Sequence, residues 1–75
     1  MNKQLLVTAG NSSNPVTSNV EINGVTEAEK LTPKLARIAS RIAFGHSNQV
    51  TVVDTKNGYG YRLYKNTARK IRIED

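Results

Sequence analysis

The side chains in this sequence that could carry out acid–base or metal chemistry are few and widely spaced. The chain has one histidine, His46, which follows Gly45, a residue type that commonly ends a helix. A histidine there is typical of an exposed loop or of a cation beside a helix C-terminus. The six carboxylates show no spacing that would pair them for catalysis or gather them around a metal ion. We therefore predict a protein with no enzymatic activity, no metal and no cofactor.

Two other kinds of chemical site are also missing from the sequence pattern. The five glycines form neither a Walker loop nor a dinucleotide-binding fingerprint. Cysteine is absent, so disulfides and thiolate metal sites are excluded, and packing, backbone pairing or association must stabilise the chain.

The apolar run from Leu5 to Val7 is too short for a signal peptide or a membrane span. These features predict a soluble, cytoplasmic protein that does not bind membranes.

Positive charge is the dominant chemical feature. The formal net charge is +5, and residues 30–72 hold ten Lys and Arg against Asp54 alone, a segment charge of +9. Such an excess repels itself unless an anionic partner neutralises it. We predict binding to nucleic acid or to an acidic protein or nucleoprotein surface, the alternative being a basic surface that only confers solubility. The predicted contact residues are Lys34, Arg37, Arg41, Lys56, Arg62, Tyr64, Lys65, Arg69, Lys70 and Arg72.

One helix is clearly marked. Thr32 can accept a backbone N–H as an N-cap, Pro33 suits the first helical position, and Gly45 suits a left-handed C-cap, which predicts a helix over about 33–44. Apolar residues recur at helical spacing on one stripe, and cations occupy a second stripe. The apolar stripe is Leu35, Ile38, Ala39 and Ile42, and the cationic stripe is Lys34, Arg37 and Arg41. The helix is therefore predicted to bury one side and present cations on the other.

The first half of the chain has weaker strand signals. Residues 4–8 read as a short strand, and the turn-forming residues that follow predict a flexible loop over about 9–19. Val20, Ile22 and the pair Asn23-Gly24 resemble the start of a hairpin that returns through Glu27. The alternative is a short helical turn over 26–29, capped by Thr26.

The second half contains the strongest strand signals. Residues 49–54 and 59–65 flank a turn over 55–58, which predicts a hairpin. Alternation places Tyr59, Tyr61 and Leu63 towards the helix and leaves Arg62 and Tyr64 exposed. A final strand follows Thr67, with Ile71 and Ile73 predicted inward and Lys70 and Arg72 outward.

A local motif carries a family resemblance. Residues 58–64, Gly-Tyr-Gly-Tyr-Arg-Leu-Tyr, resemble the first ribonucleoprotein signature of RNA recognition motif domains. The resemblance implies that Tyr59 and Tyr61 stand on the open sheet face and stack bases. The sequence departs from the pattern at Asn57, where the family has a basic residue, and at Arg62, where it has an aliphatic one. The eleven residues after the motif are also too few for the family's second helix and fourth strand.

The whole chain, a very short basic sequence with one amphipathic helix before a tight hairpin, is similar in design to small phage-encoded proteins, including CRISPR inhibitors. The resemblance implies a non-catalytic inhibitor that acts inside the host cell and uses surface charge to occupy the nucleic-acid channel of a nucleoprotein complex.

Together these patterns predict one α+β domain over residues 1–75, with a single helix packed on a small antiparallel sheet of three to five strands. The predicted core is Leu35, Ile38, Ile42, Val50, Val52, Tyr61, Leu63, Ile71 and Ile73. The predicted function is a small basic binding protein or inhibitor. The alternative is a structural or assembly protein whose modest core is completed by self-association, for example as a homodimer.

Overall fold

A computed structural model describes residues 2–10 and 13–72. The elements, in chain order, are β1 (Asn2–Ala9), β2 (Val16–Asn23), α1 (Pro33–Phe44), β3 (Val50–Asp54), β4 (Tyr59–Leu63) and β5 (Ala68–Arg72). The strands form one antiparallel sheet in the order β2-β1-β3-β4-β5, and α1 packs against one face of it. The predicted α+β class is confirmed, and five strands is the upper end of the predicted range.

The position of β1 in the sheet determines the path of the chain. β1 lies between β2 and β3 and is antiparallel to both, so β2 and β3 run parallel to each other. Parallel strands cannot be joined by a tight turn and need a crossover connection. α1 makes that crossover, which places it over the middle of the sheet.

The first hairpin is longer than the sequence indicated. β1 and β2 pair along their whole length, from Asn2 opposite Asn23 to Ala9 opposite Val16. The predicted flexible loop over 9–19 is therefore wrong at both ends, because Ala9 belongs to β1 and residues 16–19 belong to β2. The predicted hairpin over 20–27 is also wrong, since residues 20–23 pair back onto β1. The alternative prediction, a short helical turn over 26–29, is closer to the structure, because the Glu29 N–H donates to the Thr26 carbonyl (3.1 Å) in a turn after β2.

The helix has the predicted bounds. Thr32 Oγ1 accepts a hydrogen bond from the Leu35 N–H (3.2 Å), and Pro33 occupies the first turn. At the other end Gly45 adopts φ 80°, and its N–H donates to the Arg41 carbonyl (2.9 Å). Glycine reaches this left-handed conformation without the steric cost that a Cβ would add.

The helix faces the sheet with only part of the predicted apolar stripe, of which Ala39 is confirmed as buried. Its buried residues are Ala36, Ala39 and Ser40, while Ile38 and Ile42 are 37% and 61% exposed. The assignment of Ile38 and Ile42 to the core is therefore wrong. Since the inner face of the sheet already carries large side chains, the helix approaches it through its smallest residues. Leu35 is half-buried at the margin of this contact.

The second hairpin has the predicted faces, on strands slightly shorter than predicted: β3 begins at Val50 and β4 ends at Leu63. Asp54 pairs with Tyr59, and Val50 pairs with Leu63, which is fully buried on the helix side. Tyr59 and Tyr61 are half-buried against the same core. The prediction that these alternate residues face the helix is confirmed.

The orientation of β5 is opposite to the predicted one. Leu63 pairs with Ala68 across the turn, so Ala68, Lys70 and Arg72 share the helix side of the sheet. Ile71 pairs with Gly60 and lies half-buried on the open face, so its predicted place in the core is wrong. The number of residues in the turn before β5 determines which alternate residues of β5 face the helix, and alternation within β5 alone does not contain that information. The predicted position of Ile73 lies outside the described residues.

The core contains one ion pair that the sequence did not indicate. The apolar core is Leu5, Val7, Val20, Ile22, Leu31, Ala36, Ala39, Val50, Val52 and Leu63. Among these residues Lys3 Nζ lies 2.7 Å from Asp54 Oδ2, and both side chains are fully buried. Lys3 Nζ also donates to the Glu27 carbonyl (3.1 Å), so the segment after β2 covers the start of β1.

Candidate nucleic-acid interface

Charge is distributed unevenly across the sheet. Lys3 and Asp54 neutralise each other inside the protein. The rest of the described chain holds ten Lys and Arg and three carboxylates. The carboxylates, Glu21, Glu27 and Glu29, lie on β2 or in the segment that follows it, whereas β5 at the opposite edge carries Arg69, Lys70 and Arg72. Lys30 lies in the same segment as Glu27 and Glu29, so the β2 side of the sheet carries three negative charges and one positive, and the β5 edge, the basic edge of the sheet, carries three positive charges and no negative one among the described residues.

The predicted contact residues fall into three groups. The first group lies on α1 and consists of Lys34, Arg37 and Arg41. The second lies in the turns before and after β4 and consists of Lys56 and Lys65. The third lies on or next to β4 and β5 and consists of Arg62, Tyr64, Arg69, Lys70 and Arg72. In the third group Arg62 and Arg69 pair with each other on the open face, while Lys70 and Arg72 are on the helix side. Positive charge is thus present on both faces of this half of the sheet.

Three of the predicted cations meet at one cleft. Arg37 and Arg41 from α1 and Lys65 from the turn after β4 line a cleft of about 280 Å³. The remaining wall is His46, Ser47 and Asn48, from the loop between α1 and β3. No carboxylate of residues 2–10 or 13–72 lines it. We refer to these six residues as the basic cleft.

Arg37 fixes one side of the basic cleft. Its Nη1 donates to the Tyr64 carbonyl (3.3 Å), and its Nη2 donates to the Thr67 carbonyl (3.1 Å). The same turn is closed by the Tyr64 N–H, which donates to the Thr67 carbonyl (2.8 Å). These bonds hold the turn that carries Lys65 against the helix. Because a guanidinium has five N–H donors, Arg37 retains donors beyond these two bonds.

The loop over 45–49 forms the other side. The Asn48 N–H donates to His46 Nδ1 (3.3 Å), so in the neutral ring the proton lies on Nε2. Gln49 has φ 57°, the sole positive φ of a non-glycine residue in the described chain. Ser47 Oγ is buried and has no hydrogen-bond partner among the described residues. Left-handed backbone and an unpaired buried hydroxyl are both costly, and such costs concentrate at functional sites.

The open face of the sheet carries a flat apolar row. Leu6, Val53, Gly60 and Ile71 are neighbours across four strands. Gly60 is required there, because a Cβ at this position would clash with the Val52 carbonyl oxygen. Beside the row, Arg62 is half-buried and not exposed as predicted, because its Nη1 donates to Thr51 Oγ1 (2.9 Å). Its Cζ lies 5.8 Å from the centroid of the exposed Tyr64 ring.

Two of the three tyrosines of the ribonucleoprotein-like motif, Tyr59 and Tyr61, have structural contacts on the helix side. The Tyr59 hydroxyl donates to the Leu31 carbonyl (2.8 Å), and its ring meets Tyr61 edge to face with centroids 6.1 Å apart. Burial, together with the nearby Tyr61 and Asp54, raises the pKa of Tyr59. Lys70 Nζ lies 4.8 Å from the Tyr59 ring centroid. The exposed aromatic ring near the open face is Tyr64.

In residues 2–10 and 13–72 no group of three or more His, Cys, Asp or Glu side chains is arranged to hold a metal ion. Over the same residues no helix has the length and apolar character needed to span a bilayer. No family model, curated protein or solved structure matches the chain.

The three cations of the basic cleft are among the contact residues predicted from the sequence, whereas the residues of its other wall are not. The sequence pattern places His46 in an exposed loop and gives no role to Ser47 or Asn48. The local signal was weak, since three polar residues after a helix-ending glycine are typical of any surface loop. Their importance arises from the turn over 64–67, which brings Lys65 to them.

Proposed function

We propose that this protein is a non-catalytic binding module that engages the phosphate backbone of nucleic acid, free or within a nucleoprotein. The observation that carries the proposal is the separation of charge across the sheet, with the three described glutamates all at the β2 side. A polyanion that approaches β4, β5 and the basic cleft meets cations without adjacent carboxylates. Lys and Arg contacts to phosphate release condensed counterions and favour binding.

Recognition of this kind is largely independent of sequence. Base readout needs side chains that enter a groove or aromatic rings on which bases stack. Among the Phe and Tyr rings of the described residues Tyr64 is the exposed one, at 39% exposure, while Tyr59 and Tyr61 pack against the core. The exposed His46 ring lies in the basic cleft. Backbone contacts position a protein on nucleic acid without specifying bases.

The test is binding to labelled single- and double-stranded DNA and RNA across a NaCl series. The variant Arg69→Gln/Arg72→Gln removes two exposed cations from the basic edge. The control Asn19→Asp/Asn23→Asp changes net charge by the same amount at exposed positions of β2. We expect the logarithm of affinity to fall linearly with the logarithm of salt, and the basic-edge variant to lower the slope by about one for each lost phosphate contact.

The control variant should bind with nearly unchanged slope. Equal losses in both variants would mean that net charge alone governs binding and would exclude a defined basic edge. No binding to any of the four nucleic acids at low salt would overturn the proposal and favour an acidic protein surface as the partner.

A second candidate function, self-association, is favoured by a separate observation. β2 is an edge strand of eight residues whose single charged side chain is Glu21, whereas the opposite edge strand, β5, carries three cations. Long edge strands without charge are prone to pair with another chain. Two copies joined antiparallel through β2 would form a continuous sheet.

Sedimentation equilibrium over a wide concentration range tests the second candidate. A dimer in the wild type should be lost on Thr17→Lys, which places a lysine at an exposed position of β2. Thr55→Lys, at an exposed position in the turn after β3, is the matched control. A wild-type monomer throughout the range would exclude self-association.

A further inference from the structure

We infer that the basic cleft binds the terminal phosphate monoester of a nucleic-acid strand. The nucleic acid is taken from the proposed function, and the inference adds a defined site and a defined group. The cleft brings together cations from two distant segments, Arg37 and Arg41 from α1 and Lys65 from the turn after β4.

The chemistry of the cleft suits a phosphate monoester better than a diester. A monoester carries a charge of about −1.5 to −2 at neutral pH and has three acceptor oxygens. Arg37, Arg41 and Lys65 supply three positive charges, and the side chains of His46 and Asn48 add neutral donors. A diester in the middle of a strand has one negative charge and would leave more of this positive charge uncompensated.

The Ser47 hydroxyl is a second, independent indication of a ligand. Its Oγ is buried and has no hydrogen-bond partner among the described residues, although it belongs to a residue that lines the cleft. Buried polar groups are nearly always paired, and an unpaired one calls for an explanation such as a role in ligand binding. Rotated towards the cleft, the hydroxyl would donate a hydrogen bond to a phosphate oxygen.

The end of the helix works against an anion here but does not prevent binding. A helix C-terminus carries a partial charge of about −0.5, because its last carbonyls lack partners within the helix. The Gly45 N–H already pairs with the Arg41 carbonyl (2.9 Å), which reduces the exposed negative character. Three full positive charges outweigh the remainder. The cleft is also large enough for a phosphate group, because its volume of about 280 Å³ is only slightly below the usual range for sites that hold drug-sized ligands.

The experiment compares one single-stranded oligonucleotide with a 5′-phosphate, a 3′-phosphate or neither, with a parallel NMR titration of the protein with inorganic phosphate. We expect a terminal phosphate to raise affinity about tenfold, the effect of one or more charge-assisted hydrogen bonds. Amide shifts caused by inorganic phosphate should be concentrated at residues 45–49 and at Lys65.

Two variants with matched controls separate the site from general charge. Lys65→Gln should remove most of the preference for a terminal phosphate, while Lys56→Gln, which neutralises the exposed lysine of the other turn, should keep it. Ser47→Ala should reduce the preference and leave the midpoint of thermal unfolding unchanged or higher, since it removes an unpaired buried hydroxyl. Ser18→Ala, at a half-buried position on the edge strand β2, serves as its control.

The outcomes distinguish this inference from the proposed function. If all three oligonucleotides bind equally, the backbone-binding function stands and the terminal-phosphate site is overturned. If none binds, the proposed function fails and the nucleic-acid terminus fails with it. Shifts from inorganic phosphate that are spread over the whole basic edge would also overturn the assignment to the cleft.

Discussion

Lys3 is the residue on which the N-terminal end of the core depends. Its ammonium lies 2.7 Å from Asp54 Oδ2 and also donates to the Glu27 carbonyl, so it links three segments of the chain. We expect Lys3→Met to lower the free energy of unfolding by about 3 to 5 kcal/mol, because the Asp54 carboxylate would be left buried without its cation. Urea denaturation measures this, with Lys30→Met as the exposed control. An equal and small effect in both variants would contradict the role of the pair.

Asp54 gives the protein an acid-sensitive contribution to stability. Burial by itself raises the pKa of this carboxyl, but hydrogen bonds from Lys3 and Asn57 outweigh burial, and the pKa lies below its ordinary value. A depressed folded-state pKa contributes stability above the unfolded-state value, and this is lost as pH falls through the folded-state value. We expect the free energy of unfolding to decrease below about pH 4. Asp54→Asn should be less stable at neutral pH and show a weaker decrease. Glu29→Gln should retain the wild-type pH profile.

Gly60 is required for close packing between strands. A Cβ there would clash with the Val52 carbonyl oxygen and lie 3.0 Å from Val53 Cα, and both of these are backbone atoms of β3. Gly60→Ala should therefore destabilise the sheet by more than Gly58→Ala. At Gly58, where φ is 76° and no atom lies within 4 Å of an added Cβ, alanine should lower the free energy of unfolding by about 1 to 2 kcal/mol, through the unfavourable backbone conformation alone. Thermal unfolding of the two variants, measured side by side, decides the order. A smaller effect at Gly60 would contradict the close approach.

At the scale of elements, the side of the helix that faces the sheet determines which substitutions are tolerated. Ala39 is fully buried against the sheet, whereas Ile42 is 61% exposed. We expect Ala39→Leu to cost about 1 to 3 kcal/mol through overpacking, and Ile42→Gln to change stability by less than about 0.5 kcal/mol. Chemical denaturation of both variants checks this. The reverse order would mean that Ile42, and not Ala39, packs against the sheet.

Local signals in the sequence determine where the elements lie more reliably than how they face each other. Thr32, Pro33 and Gly45 mark the helix ends through backbone chemistry that acts within one turn, and the bounds of α1 were predicted correctly. The orientation of α1 depends on the volume of side chains on the sheet, which hydrophobic periodicity does not contain. The phase of β5 likewise depends on how the turn over 64–67 closes.

For the candidate site, too, the residue types could be read from the sequence but their arrangement in space could not. The positive charge of Arg37, Arg41 and Lys65 could be read directly, because charge is a property of the residue. Their convergence could not, since it requires the bonds from Arg37 to the carbonyls of the β4 to β5 turn. The burial of Lys3 had no signal in the sequence, because lysine is normally exposed and the partner that permits its burial, Asp54, is brought to it by the fold.

At the scale of the whole molecule, unequal charge affects folding as well as binding. Ten cations over residues 30–72 repel one another, and one buried ion pair lies in the core. Repulsion between exposed charges is screened by salt, while a buried pair is screened much less. Added salt should therefore remove more repulsion than attraction.

We accordingly expect NaCl to stabilise the protein. From about 0.01 M to 0.15 M the Debye length falls from about 30 Å to about 8 Å, which reduces repulsion along the basic edge. The midpoint of thermal unfolding should rise over this range, and Arg69→Gln/Arg72→Gln should start higher and rise less. Asn19→Asp/Asn23→Asp should change the salt dependence less, because its new charges lie at the opposite edge of the sheet. A midpoint that falls with NaCl would mean that attractive surface pairs dominate, and that the basic edge is already compensated within the protein.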